Sequence, residues 1–400
     1  MLRNSFVPLS LGLLLAALLA GCPGEKAVPV GDTDRVSDSD TAADTEAADT
    51  ETASNSDTTS DTDAPVDADG DGFPAGEDCD DADPSVGDSL PEGETLVRTG
   101  NALLKSWADA DAFCKGICPV ALEGSLTIAI SEFTSGDLSG LACLVSVGGG
   151  LVIDHSPSLT SLSGLDALTT VGRNLTIASS SLTDLSGLGA LTSVGTSLTI
   201  SDSSIIKLTG LNALKTVGGD LYFYEDSLRS LSGLGALTTV GGMVDFDTDR
   251  ALGAPSGLRS LTTVGGGLQF FRCDSLTSLS GLDALTTVGG DVLFESTALT
   301  SLSGLGALRT VGGDLAMDSD RELTSMTGLD ALTSVGGMVD INTNLVLSSL
   351  SGLGALRTVG GDLEVSNNVA LCADEVTALD TQLVGFSGDL TNTDNDGRCP

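Results

Sequence analysis

Ten Val-Gly pairs recur at a fixed spacing, at Val147, Val171, Val194, Val217, Val240, Val264, Val288, Val311, Val335 and Val359, with 23 or 24 residues from each to the next. A unit this short cannot bury a core alone, so neighbouring copies must stack, share one interior and be capped at both ends. The unit starting at Leu159 runs LTSLSGLDALTTVGRNLTI. Its Leu159, Leu162, Leu165, Leu168 and Val171 recur every third residue, after which Leu175 and Ile177 alternate. Period three is neither a helix at 3.6 nor a strand at 2. It suits a chain that turns a corner every few residues with one apolar side chain inward per step, while L-x-I is a strand whose Leu and Ile face the core. The Gly following Val reads as a corner that needs positive φ. With 51 Gly and 3% aromatic residues, the composition agrees with short strands and tight turns. The expected fold is a mainly β protein, a right-handed β-solenoid of about ten coils over residues 123–371. An N-terminal cap region (88–122) and a C-terminal cap (372–400) flank it.

In the 24-residue coils, the position three before the leading Leu is polar or small: Ser156, Asp249, Cys273, Asp320, Asn344 and Asn368. This resembles the Asn/Cys position of leucine-rich repeats, whose side chain bonds backbone groups left unpaired at a turn. Taken whole, the units LxSLxGLxALxxVGGxLxI resemble the receptor L domain, a β-helical relative of leucine-rich repeats, over about Cys118 to Cys399. The resemblance implies a fold and no particular ligand, since such domains bind quite different partners. It also implies that Cys114 or Cys118 pairs with Cys143 to clamp the N-terminal cap, leaving the other to join Cys79. Cys372 and Cys399 flank the ragged last segment and are expected to clamp the C-terminal cap. Cys273 then remains an unpaired thiol within the array.

The first 94 residues are of a different kind. An apolar run from Phe6 to Leu19 ends in Leu19-Ala20-Gly21-Cys22, which resembles the lipobox of bacterial lipoproteins. It implies removal of residues 1–21 and acylation of Cys22, hence a membrane-anchored cell-envelope protein. Pro23 follows, without the Asp of inner-membrane retention, so the outer membrane is favoured and the leaflet is left open. Residues 22–65 are acidic and poor in large apolar side chains, the composition of an extended tether. Residues 66–87 include DADGDGFPAGEDCDDADP. Asp67, Asp69 and Asp71 alternate before Gly72, Phe73 offers its carbonyl, and Asp78 stands at the twelfth position of an EF-hand-like loop. Asp80 and Asp81 extend the set. Without flanking helices the segment resembles thrombospondin type 3 repeats, which implies a structural Ca2+.

A net charge of -39 excludes a nucleic-acid partner and favours cations or basic ligands. His155 is the only histidine, and no G-x-S-x-G, Walker or G-x-G-x-x-G motif occurs. Function is therefore sought where the repeat is decorated, at the outward positions of the L-x-I strands. These hold Tyr222 and Tyr224, the only tyrosines, then Asp245 and Asp247, Gln269 and Phe271, Glu295, Asp318 and Asp340. Exposed aromatics in so aromatic-poor a chain mark a contact surface for a glycan, peptide or protein. The expectation is a non-enzymatic protein of recognition, adhesion or envelope architecture. The alternative is a polysaccharide-acting enzyme using ribbon carboxylates, which would need two of them about 5 to 9.5 Å apart in a groove.

Overall fold

The computed structural model describes residues 95–399 except 115–118, 134–135, 202 and 225–226. Two parallel sheets, of 12 and 13 strands, run the length of the described chain, and each coil contributes one strand to each. The first sheet collects Leu96–Arg98, Val120–Leu122, Leu144–Val147 and then the short Thr-Val or Ser-Val strands to Thr358–Val359. The second collects the L-x-I strands from Ala102–Leu104 to Leu363–Ser366 and closes with Leu390–Thr393. The result is a β-solenoid of about 12 coils. Two coils precede the first Val-Gly mark, and their first-sheet strands fall within the segment the sequence assigns to the N-terminal cap: Leu122 stands in register with Val147, and Arg98 with Leu122.

The period of three has a simple backbone cause. Leu165 N–H donates to the Leu162 carbonyl at 3.0 Å and Leu168 N–H to the Leu165 carbonyl at 3.0 Å, so the last two Leu of the run each close a turn opened by the Leu before. All of these Leu side chains are buried, as are Leu175 and Ile177 of the adjoining strand. Pro255 takes a buried turn position in the coil where the pattern slips, and its carbonyl accepts from Leu258 N–H at 3.0 Å.

The glycine following Val plays a different part from the one expected. Within the repeats the positive-φ glycines belong to the x-Gly-Leu turns, as at Gly164 (φ 106) and Gly304 (φ 116), and none of the ten repeat-marking Val-Gly glycines takes that conformation. What excludes a side chain at Gly265 is stacking: a Cβ there would run into the backbone carbonyl of Gly241 in the coil before, and Gly289 stands in the same relation to Gly265. The positive-φ residues on the other edge are not glycines. His155, Ser179, Thr248, Arg272, Ser296, Ser319, Thr343 and Asn367 each turn the chain left-handed just before a buried polar residue.

Those buried residues form a ladder. Thr297 N–H donates to Asp320 Oδ1 (2.7 Å), Asp320 N–H to Asn344 Oδ1 (2.9 Å), Asn344 N–H to Asn368 Oδ1 (3.0 Å) and Asn368 N–H to Asn395 Oδ1 (3.1 Å). The left-handed turn removes these N–H groups from the sheet, and the side chain of the next coil receives them. The 23-residue coils bury a hydroxyl residue along this edge too. Ser180, Ser203 and Thr297 are buried two residues before the leading Leu or Ile, one step later than the sequence pattern places a rung. Beneath the second sheet, Phe223, Phe246, Phe270 and Phe294 stack with centroids 4.8, 4.8 and 5.6 Å apart and planes within 12°.

The ends are closed as the cysteines suggest. Helix α1 (Trp107–Asp111), capped by Ser106, buries Trp107 and Ala110 against the first coils, and Cys114 is bonded to Cys143. Helix α2 (Ala373–Gln382) covers the last turn region. Inside the array Leu302 N–H donates to the Thr327 carbonyl of the next coil at 2.9 Å. At the end, Leu350 N–H donates instead to Glu375 Oε2 at 2.6 Å, and Gln382 Nε2 donates to the Leu353 carbonyl at 2.7 Å. Side chains of α2 thus replace a missing coil, and Cys372–Cys399 fastens the cap.

Candidate functional site: the outward ribbon of the second sheet

Alternation along the L-x-I strands decides the site. Leu221 and Phe223 are buried while Tyr222 and Tyr224 are half-buried on the outer face, and the same order repeats at Val244–Asp247 and Leu268–Phe271. Parallel register then builds two columns. The first runs Tyr222, Asp245, Gln269, Leu293, Ala316, Asp340 and Glu364; the second runs Tyr224, Asp247, Phe271, Glu295, Asp318 and Asn342. All nine contact residues expected from the sequence lie on this one face. Tyr222 and Tyr224 border Asp245 and Asp247 directly, whereas Phe271 lies one coil beyond Asp247.

The acidic groups are held differently. Asp247 Oδ1 accepts from Thr248 Oγ1 at 2.7 Å, Asp318 Oδ1 from Ser319 Oγ at 2.9 Å, and Asp340 Oδ1 from Asn342 Nδ2 at 2.8 Å. Asp245 Oδ1 is buried with no hydrogen-bond partner among the described residues. Burial, followed by the nearby carboxylates of Asp247 and Asp220, pushes the Asp245 carboxyl up to about 7. Burial and then Glu364 raise Asp340 to about 6, and burial with Asp318 raises Glu295. Tyr222 is pushed up to about 12 by burial and by Asp220 and Asp245, so its hydroxyl keeps its proton. The site therefore offers closely spaced carboxyls beside phenolic donors, on a sheet face.

Two neighbours escape the alternation rule. Arg272, on the left-handed turn after the strand, lays its guanidinium 4.8 Å from the Phe271 ring centroid. Asp220, just before its strand, accepts Met243 N–H at 2.8 Å and faces Tyr222. Their sequence signal was weak, because both stand outside the L-x-I triplet.

Other expected sites fare variously. His155 is exposed, with Nδ1 2.7 Å from Asp154 Oδ2. Cys273 is buried and unpaired, and lies on the ladder. The sulfurs of Cys372 and Cys399 lie close to Asp374, but they are bonded to each other and are not free metal ligands. A groove between α2 and the last turns is lined by Asp330, Arg357, Glu375 and Gln382, and the last two are already engaged with backbone. Cys22, the Asp67–Asp81 motif, Cys79 and Cys118 lie outside the described residues. Among the described residues no helix is long and apolar enough to cross a membrane. No protein-family model and no curated protein matches the chain.

Proposed function

We propose that this chain is a non-enzymatic, lipid-anchored envelope protein whose solenoid displays the outward ribbon for recognition of a cationic ligand. The observation that supports this most is the direct register of Tyr222 and Tyr224 on Asp245 and Asp247, with the unpartnered Asp245 Oδ1 behind them. A flat aromatic and acidic surface fits a basic peptide segment, a basic protein face or an amino-bearing glycan: rings supply apolar contact and the carboxylates charge-assisted hydrogen bonds. The lipobox at Cys22 and the acidic tether support placement at the outer membrane, with the Asp67–Asp81 loop binding Ca2+.

The test compares the wild-type chain with Tyr222→Ala/Tyr224→Ala and Asp245→Asn for binding to envelope extracts and to a panel of basic peptides and glycans. Circular dichroism checks that the fold is retained. Loss of binding in both variants is expected, and unchanged binding in the double Tyr variant would refute the ribbon. Calcium titration of the segment 66–87 tests the metal separately; no heat in the millimolar range would remove Ca2+ from the account.

A further inference from the structure

Two rungs of the buried ladder, Asp249 and Asp320, carry a carboxyl where the others carry a hydrogen-bond donor, and at Asp320 the mismatch can be followed atom by atom. On five other rungs the side chain donates to a backbone carbonyl of the coil before. Ser156 Oγ reaches Ile128 O (3.4 Å), Cys273 Sγ Phe246 O (3.6 Å), Asn344 Nδ2 Met317 O (3.1 Å), Asn368 Nδ2 Ile341 O (2.9 Å) and Asn395 Nδ2 Val365 O (2.7 Å). The acceptors are members of one inward column, the last three successive, and Phe294 is the member in register before Met317. The carbonyl that awaits a donor from Asp320 is therefore that of Phe294. Asp320 is 1% exposed. Its Oδ1 is fully used, receiving Thr297 N–H at 2.7 Å and Thr297 Oγ1 at 2.6 Å. Its Oδ2, on the side where the Asn rungs carry NH2, is buried and has no hydrogen-bond partner among the described residues. A carboxylate has no hydrogen to give there, and a carboxylic acid has one.

We propose that Asp320 is a proton-carrying rung: as a neutral acid it donates from Oδ2 to the Phe294 carbonyl, and loss of that proton sets two oxygens face to face and loosens this junction between coils. The surroundings agree. Burial is the chief cause that lifts Asp320 to about 6; the Thr297 hydrogen bonds oppose it, and Asp318 adds to it. The titratable groups around it are Asp318 on its own strand and Glu295 on the coil before, while the coil after presents the neutral Asn344. None of the groups acting on Asp320 is basic. Because the folded-state value lies above the ordinary 3.8, the folded chain holds this proton more tightly than the unfolded chain. The rung's contribution is complete below about pH 4 and is lost as the pH rises through about 6. The junction is closed in acid and opened at neutral pH, the reverse of a salt-bridged carboxylate.

Asp320→Asn tests this, because Asn supplies permanently the donor that the acid supplies only when protonated. In the full chain, amide exchange at Thr297 and Leu299 reads opening of this junction. Wild type should open more readily than the variant at pH 7.5, and the ratio of their opening constants should fall by about a hundredfold toward pH 4, a factor of ten per pKa unit. Infrared difference spectra should show a buried carboxylic-acid carbonyl band in wild type at pH 4.5 that is absent from the variant and titrates away by pH 8. A pH-independent ratio, absence of that band, or a variant that fails to fold would each overturn the proposal, since Asn is the residue the next two rungs already use.

Discussion

The stacking reason for the Val-Gly glycines can be set against the conformational one with a pair of single substitutions. In Gly265→Ala the new methyl meets the Gly241 backbone, which cannot swing aside as a side chain could. The two coils are pinned here by Gly265 N–H to Val240 O and Gly266 N–H to Gly242 O, both 2.8 Å, so the methyl enters only by stretching those bonds. Two weakened hydrogen bonds at about 1 kcal/mol each, with about 1 to 3 kcal/mol of overpacking, give a loss of about 3 to 5 kcal/mol. Gly306 is the control. A methyl added there would have nothing within 4 Å of it, and Asp166, Asp283 and Asp330 occupy the equivalent turn position in other coils. Gly306→Ala should be neutral or stabilise by about 0.4 to 1 kcal/mol through the unfolded chain. Urea unfolding followed by circular dichroism measures both. If Gly265→Ala unfolds at the wild-type midpoint, or Gly306→Ala loses as much as Gly265→Ala, steric exclusion between coils is not the reason for the mark.

Phe246 is fully buried between two stacked rings at 4.8 Å, so Phe246→Ala should cost about 3 to 5 kcal/mol and lower the urea midpoint accordingly. Cys372→Ser with Cys399→Ser reopens a loop of sequence separation 27 and should cost roughly 3 to 4 kcal/mol. Hydrogen exchange should localise that loss to α2 and Leu390–Thr393. Asp245 holds its proton more tightly when folded, at about 7 against an ordinary 3.8, so its contribution is present below about pH 4 and lost as the pH rises through about 7. Asp245→Asn should therefore melt above wild type at pH 8 and alongside it at pH 4.

The solenoid was legible because its main signal is repeated: Leu at every third step and the L-x-I alternation decide inside from outside in each coil. The same alternation correctly put all nine ribbon residues on one outward face. What escaped it depended on neighbours in space. Glycine answers both to positive φ and to close approach; Gly304 meets both conditions and Gly265 only the second. The rungs at Ser180, Ser203 and Thr297 were missed because a coil shorter by one residue moves the rung one place along the chain. The two coils before Val147 lack the mark, with Arg98 and Leu122 in its place. The Phe stack occupies positions that the L-x-I pattern marks only as inward and apolar, and Arg272 reaches Phe271 from a turn that carries no pattern.

The parallel sheets also define how the molecule yields to a pull along its sequence. Each coil is held only by the coils on either side. Tension from one end therefore peels the array like a zip, a coil at a time, in place of shearing a whole domain at once. Every coil surrendered frees 23 or 24 residues, roughly 80 Å of slack at full extension. The Cys114–Cys143 bridge spans the early coils and the Cys372–Cys399 bridge locks the far cap. The bridged segments stay closed under that load, so slack is released in regular one-coil steps from the coils between them.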